Sequence, residues 1–255
     1  MGVQRTPSQQ GGGGSGGGIP RLSYFGSPTA ADYYAAAAGV AAGGVSVLAF
    51  LLRQESAEPQ ASGFRLLADN QSPLAGWEIT DNFGVLQFTI FDGTGIPVQT
   101  TVAGNSWYDW GSSLSYAPNR DVLVYLRATE GPFPIVEGWV NGVKLAGAVA
   151  GVGVPGPPAP SVGTLRYGSG PGYLHHGMAY FEGTLTDAQL LEYADLALGQ
   201  GRMVAGDDVS TSFTWNNRWD ADENTPGATW APSDGAAVLT RQGAPSAAER
   251  YLNRG

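Results

Sequence analysis

Hydrophobic and polar residues alternate along much of this chain with the period of a β-strand. In Val85-Leu86-Gln87-Phe88-Thr89-Ile90-Phe91 the even positions Leu86, Phe88 and Ile90 are apolar and lie opposite Gln87 and Thr89. The segment therefore predicts a strand with one buried face. Gly76–Thr80 precedes it across Asp81-Asn82-Phe83-Gly84, which predicts a hairpin. Val136–Val140 and Val143–Leu145 flank Asn141-Gly142, the dipeptide that best supplies the two positive-φ positions of a two-residue hairpin turn. Further strands are predicted at Phe64–Ala68, Asp121–Thr129, Thr164–Gly168 and Met178–Phe181. The C-terminal part adds aromatic strands at Ser212–Trp215, Ala228–Trp230 and Ala237–Thr240. Between them Gly147–Gly163 is a Gly/Pro-rich loop, and its Pro155–Pro160 segment is unsuited to a sheet ladder.

Helical patterning is confined to two places. Tyr33 to Leu52 carries no charge and has Gly39 and Gly43 at small-xxx-small spacing, but Ala and Gly dominate its first half, which makes a membrane span a poor reading. It divides more naturally into two. Thr29 and Asp32 start a short helix through Ala35–Ala38, Gly43-Gly44 stops it, and Val45–Leu52 follows as a buried strand. Farther on, Thr186 and Gln189 form a capping box. Leu190, Leu191, Ala194, Leu196 and Leu198 give that helix its apolar side, and Gly199 is the expected stop. The pattern predicts an all-β protein, a two-sheet antiparallel jelly-roll sandwich with one or two short helices.

The order of motifs resembles a known superfamily. Gly138-Trp139-Val140-Asn141-Gly142-Val143-Lys144-Leu145 resembles the VNG hairpin of laminin-G-like jelly rolls, and Thr164-Leu165-Arg166-Tyr167-Gly168 resembles the strand that follows it. Gly177-Met178-Ala179-Tyr180-Phe181-Glu182 with Leu185-Thr186-Asp187-Ala188-Gln189-Leu190 is similar to the closing strand and helix of that pattern. Upstream, Gly76-Trp77-Glu78-Ile79 with Gly84-Val85-Leu86-Gln87-Phe88 is similar to its GWxL…GxLxF pair. The resemblance, to the laminin-G-like and concanavalin A-like lectin/glucanase superfamily, spans roughly Val45 to Leu198 and implies a jelly-roll scaffold. Ala179-Tyr180 stands where the pattern has an Asp, so no ligand role is carried over from that position.

Composition narrows the function. Charged residues make up 14% of the 255-residue chain, against 42% hydrophobic residues, 39 Gly and 17 Pro, which suits short strands joined by many loops. A net charge of −9 with 13 dispersed basic residues disfavours nucleic acid and anionic membrane surfaces. No Cys is present, which excludes disulfides and thiolate metal sites. Residues 1–18 read as a flexible Gly-rich arm, 19–206 as the sandwich, and 207–255 as a β-rich extension packing on or beyond it. The N-terminus shows no signal-peptide pattern, which points to a particle surface or a non-Sec route should the protein act outside a cell.

Candidate chemistry is sparse. Glycoside hydrolysis needs two carboxylates facing one cleft, yet Glu78, Glu137 and Glu182 are isolated, leaving hydrolase the least favoured reading. His175 and His176, the only histidines, read as solvent-exposed residues of a Gly-rich turn. Asp220, Asp222 and Asn224 offer oxygen ligands to calcium, although Thr225 and Ala231 break the full loop pattern; otherwise no cofactor is implied. Saccharide recognition is the sharper expectation, since sugars stack on aromatic rings beside amides and carboxylates. Trp107, Tyr108, Asp109 and Trp110 form one such cluster, and Trp215 and Trp219 a second. The sequence thus predicts a non-catalytic binding or adhesion module that recognises a glycan or protein surface. The alternative is a structural part of a virion, phage tail or other particle surface, as a homo-oligomer or in a larger assembly.

Overall fold

The computed structural model describes residues 23–26, 33–38, 47–54, 64–69, 75–82, 85–92, 97–102, 121–128, 136–144, 148–150, 164–167, 173–224, 226–243 and 251–253. In chain order the strands begin with β1 (Ser23–Gly26), β2 (Tyr33–Ala38), β3 (Val47–Gln54), β4 (Phe64–Asp69), β5 (Ala75–Asn82) and β6 (Val85–Asp92). They continue with β7 (Pro97–Val102), β8 (Asp121–Ala128), β9 (Val136–Val140), β10 (Val143–Lys144), β11 (Ala148–Ala150), β12 (Thr164–Tyr167) and β13 (Tyr173–Phe181). The helix α1 (Asp187–Gln200) precedes β14 (Asn217–Asp220), β15 (Thr229–Trp230), β16 (Leu239–Gln242) and β17 (Tyr251–Asn253). They form two antiparallel sheets. One runs β10-β9-β8-β3-β13-β1-β17 with β14 also on β13, and the other runs β11-β7-β6-β5-β4-β12-β2-β16-β15. The predicted all-β, two-sheet architecture is what the chain adopts.

β3 explains how the layers stack. Its uninterrupted apolar run is buried on both faces. Leu48, Phe50 and Leu52 enter the core between the sheets, where they join Trp77, Tyr167, Trp219 and Trp230. Val47, Ala49 and Leu51 enter a second core beneath α1, with Tyr193, Met203 and Trp215. Each fully buried side chain of this size contributes roughly 1.5–3 kcal/mol of transfer free energy, so β3 is the seam on which both cores depend. Buried tyrosines reach backbone acceptors: Tyr167 donates across the sandwich to the Gly177 carbonyl at 2.8 Å, and Tyr125 to Leu190 of α1 at 2.7 Å.

Local chemistry sets the turns and caps. Asn141 (φ 50°) and Gly142 (φ 77°) both take positive φ between β9 and β10, as the two-residue turn demands. The Asn141 side chain also accepts from the Leu123 amide at 2.9 Å, which ties the turn to β8. Thr186 and Gln189 make the full capping box. The helix ends two residues later than expected: Gly199 is helical, and Gly201 takes the left-handed cap at φ 67°.

Four other expectations are corrected. Tyr33–Ala38 is strand β2, held between β12 and β16; sheet pairing on both edges overrides alanine's helical preference. Ser212–Trp215 forms no strand, and the chain enters the sheet only at Asn217. His175 and His176 lie within β13, with His176 fully buried. In β6 the register sets Phe88 opposite Ile79 and Ile90 opposite Trp77, and Thr89 and Phe91, on the face expected to be open, are buried. The Gly-rich arm lies outside the described residues.

Glu137 on β9 sits between two cations. The Arg127 Nε donates to its carboxylate at 2.8 Å, and Lys144 forms a second ion pair with it. Burial pushes this carboxyl upward, but Lys144 and Arg127 outweigh it and hold the group below the usual carboxylate range. Its folded pKa is therefore below its unfolded one. The stabilisation is complete above the unfolded value of about 4.3 and is lost as pH falls through the folded value. Urea midpoints measured from neutral to acid pH are expected to fall less steeply for Glu137→Gln than for the parent. Parallel curves would show that the pair contributes nothing.

Candidate ligand-binding groove

The aromatic clusters expected from the sequence fall in different places. Trp107, Tyr108, Asp109 and Trp110 lie outside the described residues. Trp215 and Trp219 are buried, at 2% and 0% exposure. The Trp215 indole donates to the Val204 carbonyl at 3.3 Å beneath α1, and Trp219 donates to Ala237 at 3.0 Å in the core between the sheets. Neither ring offers a face on which a sugar could stack. Both fill cores, as large aromatics do.

Asp220, Asp222 and Asn224 follow β14, and the structure regroups them. Asp220 is fully buried; its Oδ1 accepts the amides of Asp222 and Glu223 at 2.8 and 3.1 Å. Asn224 turns away, its Nδ2 donating to the Pro232 carbonyl at 3.1 Å. His176 arrives instead from β13, with Nε2 3.7 Å from Asp220 Oδ2 and 3.7 Å from Asp222 Oδ2. Burial disfavours a charged imidazole, but Asp220, then Asp222 and Asp121, outweigh it and raise the His176 pKa. For Asp220 burial raises the carboxyl, while His176 and the two amides lower it further, below its usual value.

A concave site is found on the other sheet. In β2, Tyr34 and Ala36 are buried in the core between the sheets, so Tyr33 and Ala35 alternate onto the opposite face. Ala35 pairs with Arg166 of β12 on one side and with Thr240 of β16 on the other. Directly opposed residues share a face. The row therefore places a methyl group between two longer side chains, which makes a trough. Gln242 pairs with Tyr33 in the neighbouring row. Thr164 and Val238, the latter 48% exposed, complete a groove of about 740 Å³.

The groove's chemistry is mixed. Tyr33 supplies a ring, with the Arg166 guanidinium carbon 5.9 Å from its centroid. Thr164 and Thr240 supply hydroxyls, and Gln242 an amide. Among the described residues no lining side chain is a carboxylate or a histidine, and Asp69 of β4 lies directly opposite Arg166. Its lining comes from three strands that are distant in sequence, which is why sequence reasoning missed it. Tyr33-Tyr34-Ala35-Ala36 shows no period-2 alternation in its residue types, and its alanines favour the helical reading, so the sequence carried no signal of the groove.

No protein-family model and no curated protein matches this sequence. Among solved structures, the receptor binding domain of botulinum neurotoxin D aligns with 58% of this chain and 36% of its own, at 11% identity and TM-score 0.44. The binding domain of Paraclostridial Mosquitocidal Protein 1 aligns with 59% and 36%, at 11% identity and TM-score 0.43. The binding domain of botulinum neurotoxin DC in complex with rat synaptotagmin II gives 59% and 35%, at 15% identity and TM-score 0.43. This chain spans about a third of the length of these structures, and a likeness so distant carries no argument about function. Among the described residues no helix is long and apolar enough to cross a membrane.

Proposed function

We propose that this chain is a non-catalytic binding module that holds a saccharide in the groove across β12, β2 and β16. The observation that carries the reading is the trough itself, whose Ala35 floor lies between Arg166 and Thr240 with Tyr33 alongside. A sugar laid there would set its C–H face on the Tyr33 ring, as apolar sugar faces do on aromatics. Its hydroxyls would meet Thr164, Thr240 and Gln242. Arg166 walls one side of the trough, beside the Tyr33 ring and directly opposite Asp69 of β4. Placement in the laminin-G-like and concanavalin A-like superfamily belongs to the same proposal, supported by the motif order between Val45 and Leu198.

The test is a glycan array read with the full chain, followed by titration of the best-bound sugar. Tyr33→Ala is expected to weaken binding roughly tenfold, the scale of one lost ring contact. Arg166→Ala, which removes the wall beside Tyr33, should weaken binding as well. A chain that binds no glycan, or whose binding survives both substitutions in folded protein, would falsify the proposal.

A further inference from the structure

Asp220, Asp222 and Asn224 look like an oxygen ligand set in the sequence, and the fold replaces the last of them with an imidazole. We propose that His176, Asp220 and Asp222 bind one divalent transition-metal ion of the zinc class, which fastens β14 to β13 at the end of β1. This site is separate from the saccharide reading of the groove and does not depend on it.

Three observations converge on this cluster. The donor atoms of the three residues lie within 4.8 Å of one another, and the two measured His176–carboxylate distances are 3.7 Å. A four-coordinate ion with bonds of 2.0–2.2 Å sets its donors about 3.4 Å apart, so a small inward movement closes the set. The second observation is Asp220 itself. Its side chain is fully buried, and its Oδ2 accepts no hydrogen bond from any described residue. Meanwhile Oδ1 is held by two backbone amides, the outer support that orients a metal-binding carboxylate. His176 Nε2 stands 3.7 Å from Oδ2, beyond hydrogen-bond length, and a cation held between the two would complete this buried oxygen.

The third observation is position. On one edge of β13 the register with β3 slips between His175 and Gly177, so His176 is the extra residue of a bulge. Bulges re-aim side chains and gather beside functional sites. On the other edge, β1 pairs as far as His175 and β14 takes over at Gly177. His176 is thus the residue at which β13 changes partner, and its carbonyl accepts from Ala221 at 3.0 Å. An ion held there would link the strand to the turn that follows β14.

The donor set selects the ion. Calcium takes six to eight oxygens, whereas the cluster offers one imidazole nitrogen and two carboxylates. That combination suits zinc and its neighbours, with a water as fourth ligand. Asp222 has 11% of its side chain exposed and supplies the opening to solvent.

The full chain, stripped with EDTA, is titrated separately with zinc, cobalt, manganese and calcium chlorides while metal content and thermal unfolding are followed. One zinc per chain and a rise in Tm of roughly 5 °C or more at saturation are expected. Cobalt should show the visible absorption of nitrogen- and oxygen-bound metal. Asp222→Asn, at the rim of the cluster, should stay folded and bind zinc roughly 100-fold more weakly. His176→Gln should do the same, and if it does not fold, Asp222→Asn alone decides. Stoichiometric binding of calcium but not zinc, no metal bound at micromolar concentration, or undiminished zinc affinity in Asp222→Asn overturns the site.

Discussion

Replacing Trp219 by alanine is expected to lower the unfolding free energy by about 4 kcal/mol, the usual scale for a buried tryptophan. The ring is fully buried, lies 6.2 Å from Tyr180 and sits in the core between the sheets. Truncation removes the apolar contacts of both sheets and the indole's hydrogen bond to Ala237. In a chain of this size the loss lowers Tm by roughly 10 °C or more. Trp219→Phe keeps most of the volume and gives up the N–H, so it should cost about 1–2 kcal/mol. The pair of variants separates packing from ligand contact. Below its melting point Trp219→Ala should bind sugar per folded molecule as the parent does, because the ring presents no free face. A fall in sugar affinity without a fall in Tm would contradict the burial seen here.

The second large effect is expected at Arg218. Its guanidinium is 4% exposed and serves three acceptors: Asp234 at 2.6 Å, Glu223 through two bonds of 3.0 Å, and the Met203 carbonyl at 2.7 Å. Arg202 donates at 2.8 Å to Glu223 Oε1, an oxygen it shares with Arg218, so the four groups form one network joining β14 to the segment after α1. Arg218→Ala leaves Glu223 and Asp234 without their shared partner. Both are partly solvated, which places the cost near the lower end for a broken buried pair, about 3 kcal/mol. A fall in Tm of roughly 6–12 °C follows. Arg218→Lys should recover less than half of it, because one ammonium cannot span acceptors that a planar fork reaches together. A Tm within about 2 °C of the parent for Arg218→Ala would show that the network adds no stability.

What could be read from the sequence was what local chemistry determines. Asn141-Gly142 and the Thr186–Gln189 box act within a few residues, and each formed where its side chains require. The unbroken apolar run of β3 was legible too, because a strand covered on both faces needs no polar alternation. Failures came where distant segments decide. Ala35–Ala38 has helical composition, yet it lies between β12 and β16, two strands far along the chain. The groove was invisible for the same reason. Trp215 and Trp219 suggested a sugar platform because a tryptophan beside polar residues looks alike whether the ring faces water or a core. His176 seemed an exposed loop residue because neither carboxylate beside it is near in sequence.

The pairing of β1 with β17 has a mechanical consequence. Ser23 lies opposite Asn253, and the two strands run antiparallel, so the chain enters and leaves this pair at the same end. A pull applied between those two points would load the ladder from its open end, one hydrogen bond after another, as a zipper is drawn. Sheets stretched in that direction yield at much smaller force than sheets sheared along their strands. The sandwich can therefore be well packed in its interior and still give way readily at this edge, where a tether on both flanks would act.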